Sequence, residues 1–380
     1  MMKGIKILAF ILGSVFSFNA EASLPDYNII TSPSPVSRYG NITRMSVKSE
    51  NLGGSVIVDV WVPEGYDASS GKRYPVVYAH DGQNLFDADY SFAGVPWALD
   101  RACTQLASDS NFEMPIIVGI NNRGSEGLRP NDYFPENALD YIPPQLKDDT
   151  YIYQTCNDIF LGNEEAAFVA KELKPLIDEL YETNPGMSTT FAMGSSMGGL
   201  ASLYLLCEYP EIFGGAACLS THWIGSLDLN PDYSMNDDEV CANAILEYLS
   251  NNIPADGLHR LYLDQGTEGW DAGYAKYEVM AREIVREKGF TEESGTLYTY
   301  DAKGAGHNEW FWQQRVKIPL KFLLSRKAIE EAGINSIIPG RQESKIDYIY
   351  DLNGRCHTLS EFENLAAGIY IVGNKRILLR

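Results

Sequence analysis

Short β-rich apolar runs alternate along this chain with stretches whose apolar residues recur at helical spacing. Ser55–Val62 (SVIVDVWV) places a valine at every second position, the period of a strand with one face turned inward. Pro75–Ala79, Pro115–Ile120 and Thr189–Met193 are compact apolar runs that read as buried strands, and Phe213–Leu219, Arg260–Leu263 and Leu297–Tyr300 follow them. Between the strands, Val169, Leu173, Leu176, Ile177 and Leu180 fall on one helical face, with Pro175 placed to kink it. Strand–helix alternation of this kind predicts a mainly parallel sheet flanked by helices.

Three stretches depart from the alternation. Residues 121–160 lack periodicity, carry Pro130, Pro135, Pro143 and Pro144, and are rich in Tyr, as expected of a lid or binding loop. After a helix expected over Trp310–Ala332, Gly333–Glu343 reads as a linker. Ile346–Tyr350 and Ile369–Leu379 then read as strands, with turn signals at Asn353-Gly354 and Gly373-Asn374, which makes a small β appendage. At the amino terminus, Lys3 and Lys6 precede an uncharged run from Ile7 to Phe18 and the small-residue signal Ala20-Glu21-Ala22, the pattern of a cleaved signal peptide. That run is short for a bilayer span, and no later stretch approaches the ~20 apolar residues that a membrane helix needs. The expected organisation is a signal peptide over 1–22, an α/β domain over 23–335 and a β-rich tail over 336–380. The expected location is exported: periplasmic, cell-surface or secreted, without membrane insertion.

Composition narrows the partners. The 380 residues include 51 acidic and 30 basic side chains, a net charge of −21, which repels nucleic acid phosphates and anionic membranes. The six cysteines, at 103, 156, 207, 218, 241 and 356, lack the CxxC pairs and His partners at the spacing of a zinc site, so no metal site is expected. Cys207 and Cys218 fall in apolar helix and strand patterns and read as buried thiols.

The chemistry centres on Ser188–Leu200 (STTFAMGSSMGGL), a β-run, a GxSxG pentapeptide around Ser196 and then a helical pattern. A serine hydroxyl is a weak nucleophile until a sharp strand-to-helix turn exposes it and a base takes its proton. The Met197 amide, opening the following helix, can hold an oxyanion. Hydrolases built this way order their triad Ser, acid, His. That order sets aside His80, His222 and His259, and His357 lies in the appendage; His307, in GAGHNEW after a strand, remains as the base. The acid is expected after Arg260–Leu263, where Asp264, Glu268 and Asp271 compete. Asp264 sits in the strand's own alternation and reads as a loop-fixing side chain; Asp271 is preferred and Glu268 is the alternative, with a plain helix N-cap as the bland reading of Asp271. The strand Pro75–Ala79 runs into HDGQNLFD, where the Gln83 amide is expected as the second oxyanion donor, with Gly82 and Asn84 as neighbours. His80, Asp81 and Asp87 there read as loop-fixing groups.

HDGQNLFD, PIIVGINN with the later DYFPE, GSSMGG, LYLDQGTEGWD and GAGHNEW together resemble the putative-esterase family of α/β-hydrolases, which includes S-formylglutathione hydrolase, feruloyl and acetylxylan esterases and enterochelin-type esterases. The resemblance covers residues 40–325. It implies the α/β-hydrolase fold and carboxylic-ester hydrolysis by a Ser-His-acid triad, with no cofactor and no metal. One position departs: the family often places its acid three residues after the glycine ending the seventh strand, and Gly269 stands there. YDLNGR and GIYIVGNKRILLR resemble carboxy-terminal sorting tails of exported Gram-negative proteins, which implies contact with secretion machinery.

Phe86, Tyr90, Phe92, Trp97, Tyr133, Phe134 and Trp223 fall in loops able to converge on the site, and aromatic faces suit sugar rings or aryl acyl groups. The expected substrate is therefore an esterified carbohydrate or polysaccharide carrying acetyl or feruloyl groups. A siderophore ester, with Arg123 and Arg129 facing an anionic ligand, is the second reading. A non-catalytic carbohydrate-binding protein on the same scaffold is the third.

Overall fold

Alternate residues of the central strands go to opposite faces of one sheet, and both faces are dry. Val76, Tyr78, Ile116, Val118, Ala192, Ala216, Cys218 and Leu261 join one core. Their neighbours Val77, Ile117, Phe191, Met193, Ala217, Leu219 and Tyr262 join another. Successive Cβ atoms point to opposite sides of a strand, so a sheet covered on both faces reads as unbroken apolar runs.

The computed structural model describes residues 24–337 and the tail segments 349–351, 356–357, 368–372 and 375–379. Nine strands form the main sheet: β1 (Tyr27–Ile30), β2 (Gly40–Ser49), β3 (Gly54–Pro63), β4 (Val76–His80), β5 (Ile116–Ile120), β6 (Thr190–Ser195), β7 (Gly215–Leu219), β8 (Arg260–Gly266) and β9 (Leu297–Ala302). Their order is β1-β2-β3-β5-β4-β6-β7-β8-β9, antiparallel from β1 to β5 and parallel from β5 to β9. All seven expected strands are present. The two unforeseen ones, β1 and β2, lack a clean apolar pattern for a physical reason: β2 carries Arg44 inward, where it makes two 2.7 Å hydrogen bonds to Asp59 of β3.

The helix expected around Pro175 spans Gly162–Leu180, with a wide turn of π type over Phe168–Leu173. There the Lys174 amide reaches back five residues to the Val169 carbonyl, as helices do where a register slip is absorbed. The single helix expected over Trp310–Ala332 is three: Glu309–Arg315, Lys317–Leu323 and Arg326–Ile337. Pro319 in the second lacks an amide hydrogen, which favours a break just before it. Because the last helix runs to Ile337, the expected linker cannot begin at Gly333.

The tail strands β10 (Ile349–Asp351), β11 (Cys356–His357), β12 (Gly368–Val372) and β13 (Lys375–Leu379) form an antiparallel sheet in the order β11-β10-β12-β13. The run Ile369–Leu379 supplies two antiparallel strands on either side of the expected turn at Gly373-Asn374. Residues 1–22, with the expected signal peptide, and the turn signals of the tail lie outside the described residues. Among the described residues no helix is long and apolar enough to cross a membrane. Cys103, Cys156, Cys207, Cys218 and Cys241 are buried free thiols.

Candidate active site

β6 delivers the nucleophile candidate. The strand ends at Ser195, and Ser196 turns the chain with φ 56° and ψ −126° into the helix Met197–Glu208. A non-glycine residue at positive φ is strained and persists where the surroundings impose it. Here the Ser196 amide donates to Leu219 O at 2.9 Å and the Ser196 carbonyl accepts from the His222 amide at 3.2 Å. Gly194 permits the sharpness of the turn, because a Cβ there would collide with the Gly198 backbone. The following helix is buried from Met197 to Cys207, so its first amide is held rigidly.

The carboxyl ends of β6, β7, β8 and β9 lie in one row, since Ser195 pairs with Leu219, Leu219 with Asp264 and Asp264 with Tyr300. Loops leaving such ends build the sites of α/β sheets. The loop after β8 carries Asp271 in the first turn of the helix Trp270–Glu287, with Gly269 at its N-cap, so Asp271 is not the cap. Its buried carboxylate receives His307 Nδ1 at 2.6 Å on Oδ1, and the Ser220 hydroxyl at 2.6 Å and the Gly266 amide at 2.5 Å on Oδ2. Burial pushes the Asp271 pKa up, but the His307, Ser220 and Gly266 donors outweigh it and hold the group below the usual carboxylate range. A carboxylate only accepts, so His307 carries its proton on Nδ1 and leaves Nε2 able to accept one. Glu268 is exposed and Asp264 is clamped by Arg315 through contacts of 2.8 and 2.9 Å, the loop-fixing role expected of it. Three rings surround the imidazole: Trp270 at 5.5 Å, Tyr274 at 5.6 Å and Trp312 at 5.1 Å between centroids. No hydrogen bond joins Ser196 Oγ to His307 among the described residues; such bonds often tighten only once substrate is bound.

A family model described as "Putative esterase" matches residues 49–317. The chain belongs to this family. It is therefore a carboxylic-ester hydrolase, and its sheet is that of the α/β-hydrolase fold. The esterase is 23% identical over 281 residues to the uncharacterized protein YbbA of Bacillus subtilis (strain 168), a match covering 70% of this chain and 92% of that one. Among solved structures, a ferulic acid esterase superposes with a TM-score of 0.54 at 17% identity, covering 75% of this chain and 98% of its own. The enterobactin esterase FES from Shigella flexneri gives 0.53 at 16%, covering 76% of this chain and 60% of its own. At such identities the likeness is one of fold.

On the other side of the nucleophile turn, β4 of the esterase runs parallel to β6, with Ala79 opposite Met193. The turn Gly82–Asn84 follows β4. The two turns touch: a Cβ on Gly198 would lie 3.1 Å from Asp81 Oδ2 and 3.2 Å from the His80 Cβ. The Gln83 side-chain oxygen accepts from the Asn122 amide at 3.2 Å, which ties this turn to the end of β5. His80 is fixed between Ser202 and Glu165, and Asp81 takes both arms of Arg129 at 2.8 and 2.6 Å. Asp87 holds the Val36 amide at 3.0 Å.

Other expectations need correction. Phe86, Trp97, Tyr133, Phe134 and Trp223 are buried core residues, Tyr90 lies under the Arg44 guanidinium and Phe92 is 73% exposed. Tyr133 packs on Met197 behind the nucleophile turn and Trp97 on Trp312, which itself borders His307, so these two back the site from the core instead of presenting open faces to it. Arg123 and Arg129 are paired with Asp132 and Asp81, so neither guanidinium stands without a counter-charge to face an anionic ligand. Residues 121–160 form short helical turns with Asn131, Tyr133, Phe134, Ala138, Ile142, Ile152 and Cys156 buried, a packed wall in place of a lid. Ser220, Arg315, Trp312, Trp270 and Tyr274 went unforeseen; Ser220 alone carried a usable signal, its place just past a strand's carboxyl end.

Proposed function

We propose that the esterase cleaves carboxylic esters with Ser196 as nucleophile, His307 as base and Asp271 as the acid, and that its substrates are acylated carbohydrates. The 2.6 Å contact between His307 Nδ1 and Asp271 Oδ1 carries this reading, because it fixes the one tautomer that can accept the Ser196 proton. His307 Nε2 takes that proton as Oγ attacks the carbonyl carbon, and the oxyanion forms against the Met197 and Gln83 amides. The imidazolium then protonates the departing alkoxide. Water, deprotonated by His307, releases the acyl group and restores Ser196.

Hydrolysis of p-nitrophenyl acetate by the purified protein tests the reading. Turnover should fall about 10⁵-fold or more in Ser196→Ala, and Ser195→Ala should retain substantial activity; equal loss in both would contradict the assignment. No turnover at all by the native chain would favour the carbohydrate-binding alternative. The Lys3/Lys6 pattern ahead of the apolar run supports export, and a mature amino terminus near Ser23 in exported protein is the expected observation.

A further inference from the structure

Beside His307 lies an open groove of about 400 Å³, within the ~300–1,000 Å³ range of small-ligand sites. Trp270, His307 and Phe311 supply its rings, Glu268 and Asn308 its polar side chains, and the backbones of Gly269, Gly304 and Gly306 the remainder. Ser196 does not line it. A serine hydrolase divides its ester at the scissile bond: the acyl half stays with the nucleophile and the oxyanion donors, and the alcohol half leaves past the imidazole that protonates it. A cavity walled by the base and not by the nucleophile is therefore placed for the alcohol.

Resting on the triad proposed above, we propose that this groove is the alcohol subsite and that it takes a neutral sugar stacked on Trp270 and Phe311. Two flat faces with a carboxylate beside them suit a polyhydroxylated ring, which is apolar on its faces and donates hydrogen bonds at its edge. No Lys or Arg lines the groove, so an anionic alcohol finds no counter-charge there. A further exposed aromatic stands beside it: Trp310 is 53% exposed, its ring 5.0 Å from that of Phe311 and nearly perpendicular to it at 82°. An exposed tryptophan next to an open-ended groove fits an alcohol longer than one sugar. Trp270 is itself anchored, its indole N–H donating to Tyr233 O at 2.8 Å.

The test compares three acetate esters that share the acyl group and differ in the alcohol: ethyl acetate, phenyl acetate and a mono-acetylated xylobiose. Native protein should prefer the acetylated disaccharide over ethyl acetate in kcat/KM by 10-fold or more. Phe311→Ala should reduce that ratio at least 10-fold, mainly through KM. Should Phe311→Ala not fold, Phe311→Leu, which keeps bulk and loses the flat face, serves for the same ratio. A ratio unmoved by either variant overturns the proposal, and so does a native preference confined to phenyl acetate, which would make the groove an aryl site. Failure to hydrolyse any of the three would count instead against the esterase triad itself.

Discussion

The Ser220 hydroxyl sits 2.6 Å from Asp271 Oδ2, the carboxylate oxygen turned away from His307. The same hydroxyl accepts from Trp312 Nε1 at 3.0 Å and Arg315 Nη2 at 2.8 Å. Ser220 thus ties the acid to the helix that follows the base. Ser220→Ala removes a donor from Asp271 and strands the Trp312 indole N–H, while Arg315 Nη2 keeps its bond to Asp264. Stability should fall by roughly 1–3 kcal/mol, the usual result of leaving a buried donor unmatched, and kcat should fall more than KM rises. Urea titration and steady-state kinetics on one preparation separate these effects.

Asp271→Asn should lower kcat about 10⁴-fold, because an amide can donate to Nδ1 and hold the wrong tautomer. The loss of fold stability should be far smaller than the loss of rate. Glu268→Gln should cost far less activity; the opposite ranking would move the acid to Glu268.

The backbone at Ser196 (φ 56°, ψ −126°) suits glycine better than serine. Ser196→Gly should therefore abolish turnover while leaving the thermal midpoint unchanged or raised, with strain relief on the order of 1 kcal/mol. A fall in the midpoint would show that the turn is unstrained.

His222 is buried, with Nε2 donating to Ser226 O at 2.8 Å and Nδ1 accepting from the Tyr274 hydroxyl at 2.6 Å. Burial lowers its pKa to about 3. A depressed folded-state value means stability that is fully present above the unfolded histidine pKa, ~6.5, and is lost as pH falls toward the folded one, by about 1.4 kcal/mol per pH unit between them. The stability difference between native protein and His222→Gln should shrink by roughly 2 kcal/mol from pH 6 to pH 4. Glu278, pushed up to about 7 by burial, acts oppositely, favouring the fold at low pH, and cancels in that comparison. Denaturation midpoints at the two pH values decide it.

The sheet and the sharp turn at Ser196 were legible because runs buried on both faces and a GxSxG between strand and helix leave strong local marks. The carboxylate partner of His307 was legible only as a choice among three. What separates Asp271 from Glu268 is the turn Gly269 makes at φ 60°, which sends one side chain inward and leaves the other in solvent. Side-chain direction in a loop has no period to read. For the same reason Trp97 and Trp223, expected at the site, lie in the core, while Trp270 and Phe311 border the base.

The proposed nucleophile and its proposed base stand on unequal foundations. β6 lies mid-sheet with neighbours on both sides and carries a helix that is buried almost throughout, whereas β8 and β9 are the last two strands and the loops from them hold Asp271 and His307. Local opening is easiest where fewer buried contacts must break, so the acid–base half of the site frays first. In rising denaturant, catalysis should fade while the far-ultraviolet circular dichroism of the sheet and helices still reads native, and amide exchange should be slowest along the strand that ends at the serine.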